Sequence, residues 1–175
     1  LGIPIARLEM LDPLHVRACN AYSKLNLPET PLLLVEFHGT LDSVEDDVAR
    51  FKNICGDYST SPFHWSNDPD ERKKLWKARH DALWAAYGLI PGATGFATDV
   101  CVPISRLADC IEDTISDIET AGLTAPIIGH VGDGNFHVLP LAMPDDTDMH
   151  HKISEFSGRL TARSLKLGGT CTGEH

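Results

Sequence analysis

Residues 127–142 read Ile127-Ile128-Gly129-His130-Val131-Gly132-Asp133-Gly134-Asn135-Phe136-His137-Val138-Leu139-Pro140-Leu141-Ala142. Two apolar runs flank Gly132-Asp133-Gly134. Asp-Gly between such runs is a strong hairpin signal, because a type I′ turn needs positive φ at both central residues. With Asp133-Gly134 as the loop, Gly132 pairs with Asn135, Val131 with Phe136 and His130 with His137. Directly opposed residues leave the same face of a sheet with Cβ atoms about 4.5–5.5 Å apart. That spacing lets two imidazoles close on one divalent metal, whose bonds to histidine nitrogen run to about 2.0–2.2 Å.

The competing explanation is two half-exposed histidines that merely face each other across a turn. Gly129, Gly132 and Gly134 weigh against it, because backbone freedom of that kind is costly unless the chain must turn sharply or approach something closely. A second glycine-rich stretch, Gly168-Gly169-Thr170-Cys171-Thr172-Gly173-Glu174-His175, adds a carboxylate beside a potential base. Two histidines and one carboxylate form a three-ligand set with open positions, as in catalytic metal centres, and Zn²⁺, Mn²⁺ and Fe²⁺ all suit these ligand types. Neither glycine stretch fits another common site. Gly132-Asp133-Gly134 lacks the further Gly and helix of a dinucleotide fingerprint, and the second stretch lacks the Gly-Lys-Ser/Thr of a phosphate-cradling loop.

Outward from the hairpin, strand-like and helix-like stretches alternate. Ile5–Leu11 reads as a strand. Pro13–Leu25 reads as a helix capped by Asp12 with Pro at its first position. Leu32–His38 is an apolar strand, and Ser43–Cys55 a helix stopped by Gly56. Phe63–Ser66 is a short aromatic strand candidate, and Asp68-Pro69 opens a long helix through Tyr87. Gly95–Val102 reads as a strand, Arg106–Ala121 as a helix, and Asp145–Leu167 as a last helix ending at Gly168-Gly169. The pattern gives an α+β fold: one mostly antiparallel sheet with helices packed on one face.

The chain has 175 residues, a length that fits one domain piece, residues 1–175. Leu1 is not a starting Met, and the chain stops on Gly173-Glu174-His175, so both ends are expected to be cuts. The formal net charge of -10 argues against nucleic acid as a partner, since phosphate neutralisation needs clustered Lys and Arg. The five cysteines form no C-x-x-C pair and read as reduced thiols.

Gly129-His130-Val131-Gly132-Asp133-Gly134-Asn135-Phe136-His137, with Gly169-Thr170-Cys171-Thr172-Gly173-Glu174-His175, resembles the paired signature of the C-terminal domain of FAD-linked oxidases. Trp76-Lys77-Ala78-Arg79-His80, Ala97-Thr98-Asp99-Val100-Cys101-Val102-Pro103 and Ile5-Ala6-Arg7-Leu8-Glu9 add to the resemblance, which covers essentially the whole chain. Within the family the chain resembles the mitochondrial, cytochrome-linked branch that oxidises D-lactate.

The resemblance implies a ferredoxin-like substrate and cap domain beside a separate domain that holds FAD. It implies a divalent metal, Zn or Mn, on His130, His137 and Glu174. Arg79 would grip the substrate carboxylate and His175 would take the hydroxyl proton; Asn135, read from its own position, either satisfies the turn, whose geometry Asn tolerates, or points into the site as a cofactor contact. The substrate would be D-lactate or another small D-2-hydroxyacid, and the electron acceptor one such as cytochrome c. Relatives acting on 2-hydroxy dicarboxylates carry polar groups where this chain has Leu139 and Ala97, which implies a monocarboxylate. The alternative is a metal-binding or regulatory α+β module without catalysis.

Overall fold

A computed structural model of the protein describes residues 2–58 and 63–172. Strands β1 (Arg7–Leu11), β2 (Leu32–Glu36), β4 (Val100–Cys101), β5 (Ile127–Gly129), β6 (Asn135–Val138) and β8 (Thr170–Cys171) form one sheet in the order β2-β1-β5-β6-β4-β8. Every neighbouring pair is antiparallel. Two further short strands, β3 (Thr94–Gly95) and β7 (Leu141–Ala142), pair with each other. They prolong the β4–β6 ribbon beyond Pro140, because Phe96 N–H donates to the Pro140 carbonyl and Thr98 N–H to the Val138 carbonyl. Six helices accompany the sheet: α1 (Pro13–Ser23), α2 (Leu41–Tyr58), α3 (Pro69–His80), α4 (Ala82–Tyr87), α5 (Ile104–Ala121) and α6 (Thr147–Lys166). The α+β class is therefore as the sequence pattern implies.

Period-two alternation sorts the side chains into two layers. From β6, Phe136 and Val138 point to one face and are fully buried there with Ile127, Phe156 and Leu160. Each such large side chain contributes roughly 1.5–3 kcal/mol on burial. Helices α5 and α6 cover this face, through Leu107 and Cys110 on α5 and Ile153, Phe156 and Leu160 on α6. The single helical face expected from sequence describes these two helices, with a refinement at the other end of the molecule. There Leu11 and Ile128, on the opposite face, pack against Val16 and Cys19 of α1 and Ala82 and Ala85 of α4, while Ala86 packs on Leu139 and Leu141. The alanines let α4 lie close to α1.

Several local expectations shift. Helix α2 runs through Gly56 to Tyr58, since glycine inside a helix costs only about 1 kcal/mol and does not by itself stop it. Phe63–Ser66 forms no strand. The single helix expected over 68–87 is two, divided at Asp81, whose φ of -83° and ψ of 2° leave the helical region. Helix α6 ends as expected, with Gly168 at φ 82°.

The central hairpin also differs in register. Ile128 pairs with His137 and Ile127 with Val138, so His130 stands across from Asn135, not His137. Residues 131–134 form a four-residue loop: a 3-10 turn over Val131–Asp133 followed by Gly134 at φ 78°. The His130 carbonyl accepts from both Asp133 N–H and Asn135 N–H. Loops built on a type I turn with a left-handed residue after it are an established hairpin alternative to the two-residue type I′ turn. Gly134 is required twice over, because a Cβ there would also lie 2.1 Å from the Val102 carbonyl oxygen.

Asp12 caps α1, accepting from His15 N–H at 2.7 Å. Burial at this junction pushes its carboxyl up from 3.8 to about 6, although the His15 and Ile127 backbone groups pull it the other way. The folded state thus binds the Asp12 proton more tightly than the unfolded chain. The associated stability is fully present below pH 3.8 and is lost as the pH rises through about 6. Asp12→Asn keeps the cap and removes the titration. It is expected to be more stable than wild type at pH 7 by up to about 3 kcal/mol and to lose that advantage near pH 4, read as the difference in urea midpoints. A pH-independent difference would contradict this assignment.

Candidate active site

One step beyond the Met10–Gly129 pair, Glu9 of β1 falls beside His130. One step beyond the Val100–Phe136 pair, Asp99 falls beside His137, and one step beyond Val100–Cys171 it falls beside Thr172. Strand pairing therefore lines Glu9, His130, His137, Asp99 and Thr172 along one face, across five strands, on the side opposite the α5–α6 core. The His130 and His137 rings lie 6.0 Å apart, nearly perpendicular. They share a face, as expected, although they are diagonal neighbours; a register change of two residues leaves facing unchanged.

Both rings are held by acceptors. His130 Nδ1 lies 2.7 Å from Glu9 Oε1, and His137 Nδ1 lies 3.1 Å from the Thr98 carbonyl and 3.3 Å from Asp99 Oδ1. A carbonyl cannot donate and a carboxylate does not, so each Nδ1 carries a hydrogen, and in the neutral ring Nε2 then keeps its lone pair. Carboxylate or carbonyl groups behind a histidine orient metal ligands in this way. Gly129 makes the close strand approach possible, since a Cβ there would meet Asn135 O at 2.6 Å and Phe136 Cβ at 2.7 Å.

Arg79, near the end of α3, reaches the row through Glu9. Its Nε and Nη2 lie 2.9 and 2.8 Å from Glu9 Oε2. Both side chains are largely buried, with 18% and 9% of their surface exposed, so this pair is shielded from water. Asn135 enters through Asp99: its amide nitrogen donates to Asp99 Oδ1 at 2.6 Å and to the Val100 carbonyl at 3.1 Å. With both amide hydrogens used, only its carbonyl oxygen is left for another molecule. Thr172 Oγ1 donates to Asp99 Oδ2 at 2.6 Å. Glu174 and His175, which follow directly, lie outside the described residues. Among the described residues no three His, Cys, Asp or Glu side chains form a metal-holding group.

Beneath α4, His15 is fully buried with Nε2 3.0 Å from the Ala82 carbonyl. Burial lowers its pKa and keeps it neutral; burial likewise pushes the nearby Cys19 thiol up to about 11, so no reactive thiolate lies there. A hollow of about 1050 Å³ between β2 and α2, lined among others by Val35, Phe51 and Trp76, contains none of the row.

The structure thus joins His130, His137, Arg79 and Asn135, and adds Glu9, Thr98, Asp99 and Thr172, which motif spacing did not single out. Glu9 had a signal: it occupies the position of Arg7-Leu8-Glu9-Met10-Leu11 that shares a face with buried Leu11. An acid there needs a partner.

Comparison with known proteins matches residues 2–175 to the family described as FAD linked oxidases, C-terminal domain. The chain is 48% identical over 174 residues to a probable mitochondrial D-lactate dehydrogenase of Danio rerio, covering 99% of this chain and 35% of that protein. It is 36% identical to the mitochondrial D-lactate dehydrogenase [cytochrome] of Arabidopsis thaliana, covering 99% and 31%. The chain spans about a third of the length of these relatives. Among solved structures, 4-ethylphenol oxidase from Gulosibacter chungangensis superposes with a TM-score of 0.64 at 14% identity, over 93% of this chain and 38% of that one, a likeness of fold alone.

Asp99→Ala would take from the Asn135 amide one of its two acceptors and from the Thr172 hydroxyl its carboxylate acceptor. A loss of about 2–3 kcal/mol in unfolding free energy is expected from denaturant titration. A loss under about 0.5 kcal/mol, usual for open surface positions, would show that the row is not a connected unit.

Proposed function

The chain belongs to the FAD linked oxidases as their C-terminal domain, and from that premise we propose that it is the substrate- and metal-binding piece of a flavin-dependent dehydrogenase. The substrate is D-lactate or a similar D-2-hydroxy monocarboxylate, which is converted to the 2-oxo acid. Residues 1–175 act as one domain piece of a longer protein, whose other part holds FAD. The observation that carries the reading is the anchored histidine pair: two imidazoles on one face, each with Nδ1 engaged and Nε2 available.

That donor set fits a divalent ion of the Zn or Mn kind, with Glu174 as the third ligand. When bound, such an ion supplies Lewis acidity toward the substrate's oxygens, and FAD supplies the two-electron acceptor. The chain's own groups do the rest. Arg79 binds the substrate carboxylate with the guanidinium edge that Glu9 does not occupy, a planar grip that lysine cannot reproduce. His175 takes the hydroxyl proton, imidazole being suited to exchange protons near neutral pH. Asn135 offers its carbonyl oxygen to the cofactor. Leu139, which is 4% exposed, and Ala97 belong to one apolar cluster next along the face from His137. A second substrate carboxylate would find no polar partner in them, which favours a monocarboxylate. By likeness to the relatives, the working place is the mitochondrion and the final acceptor a cytochrome such as cytochrome c.

The test uses the full-length flavoprotein. D-Lactate is expected to reduce the flavin under anaerobic conditions faster than a D-2-hydroxy dicarboxylate does, and the reverse order would overturn the substrate assignment. His137→Ala should lose bound metal and about 100-fold or more of the activity. Arg79→Lys should keep the metal and raise KM by about 10- to 100-fold. His175→Asn should keep metal and substrate affinity and lower kcat by about 100-fold or more. Metal retained in full by His137→Ala would overturn the ligand assignment.

A further inference from the structure

Glu9 is a carboxylate on a strand interior with 9% of its side chain exposed, and each of its oxygens has a different client. Oε1 takes His130 Nδ1–H, and Oε2 takes the Nε and Nη2 hydrogens of Arg79. We infer that Glu9 is a positioning residue that selects the His130 tautomer with Nε2 unprotonated and at the same time fixes the Arg79 guanidinium. The inference rests on the metal reading above and deepens it by assigning a job to a residue that touches neither metal nor substrate.

The chemistry of the amide makes the inference sharp. In Glu9→Gln the side-chain oxygen is claimed by Arg79, which offers two hydrogens and can only donate. The amide nitrogen then faces His130 Nδ1. Two donors cannot share that contact, so Nδ1 must become the acceptor, which moves the imidazole hydrogen to Nε2. That is the nitrogen a metal needs. The variant keeps the shape of the site and inverts one hydrogen bond. A purely structural role for Glu9 predicts loss of stability with no change of tautomer.

The experiment titrates Zn²⁺, in competition with a chelator, into the full-length flavoprotein and its variants. Glu9→Gln is expected to bind Zn²⁺ about 10- to 100-fold more weakly, the usual effect of removing a partner behind a metal ligand. In ¹⁵N-histidine spectra of the metal-free protein, the His130 hydrogen should move from Nδ1 to Nε2. Glu9→Asp keeps the charge for Arg79 but withdraws the carboxylate by one methylene. It is expected to weaken Zn²⁺ binding as well and serves the same purpose should the glutamine variant not fold. Asp117→Asn is the control. Asp117 binds Arg159 and Arg163 between α5 and α6, on the far side of the sheet, so its loss should lower stability with unchanged Zn²⁺ affinity. Wild-type affinity in a folded Glu9 variant, or an unmoved His130 tautomer in Glu9→Gln, would overturn the role of Glu9 while leaving the metal reading standing. Failure of the wild-type protein to bind Zn²⁺, or full binding by His137→Ala, would overturn the metal reading and the inference with it.

Discussion

Strand β6 turns Phe136 and Val138 to one side of the sheet and Asn135, His137 and Leu139 to the other. The two sets have incompatible demands. The first must be dry, and it is covered by α5 and α6. The second carries polar groups that need partners, and the neighbouring strands deliver them in register: Asp99 from the β4 side, Glu9 through β1 and His130. Because side chains alternate with a period of two, neither set could shift without dragging the other to the wrong side.

Burying the Glu9–Arg79 pair is costly in itself, since both charges give up water. It is tolerated because the remaining carboxylate oxygen is also bonded, to His130. The arrangement spans elements far apart in sequence: a strand at the start of the chain, the end of α3, and the turn after β5. It fixes where α3 must end. The interruption at Asp81 then lets α4 set off against α1 while Arg79 stays on Glu9.

Much of this was legible in the sequence, and what was not has a physical reason. The Asp12 cap, the α+β class and the shared face of His130 and His137 follow from side-chain chemistry and periodicity. The hairpin register did not, because Asp133-Gly134 suits two loop types. The choice between them was made by Gly134, whose carbonyl accepts from Val102 N–H on a strand no local pattern connects to it. The shift leaves both histidines on one face because it is an even number of residues. Gly56 does not stop α2 because a glycine inside a helix costs only about 1 kcal/mol. Glu9 and Asp99 were overlooked as members of the site for a different reason: their importance lies in cross-strand neighbours, and spacing along the chain says nothing about those. The tie of Arg79 to Glu9 cannot be read from a charged helix face.

The three alanines of α4 have a meaning beyond packing. Ala82 and Ala85, at 1% and 2% exposure, pack with Val16 and Cys19 of α1, and Ala86, at 0%, packs on Leu139 and Leu141. Their methyl groups are the spacers that set how closely α4 seats on its neighbours. The smallest side chains in the region thus fix its spacing, in the way a shim sets the gap between two plates.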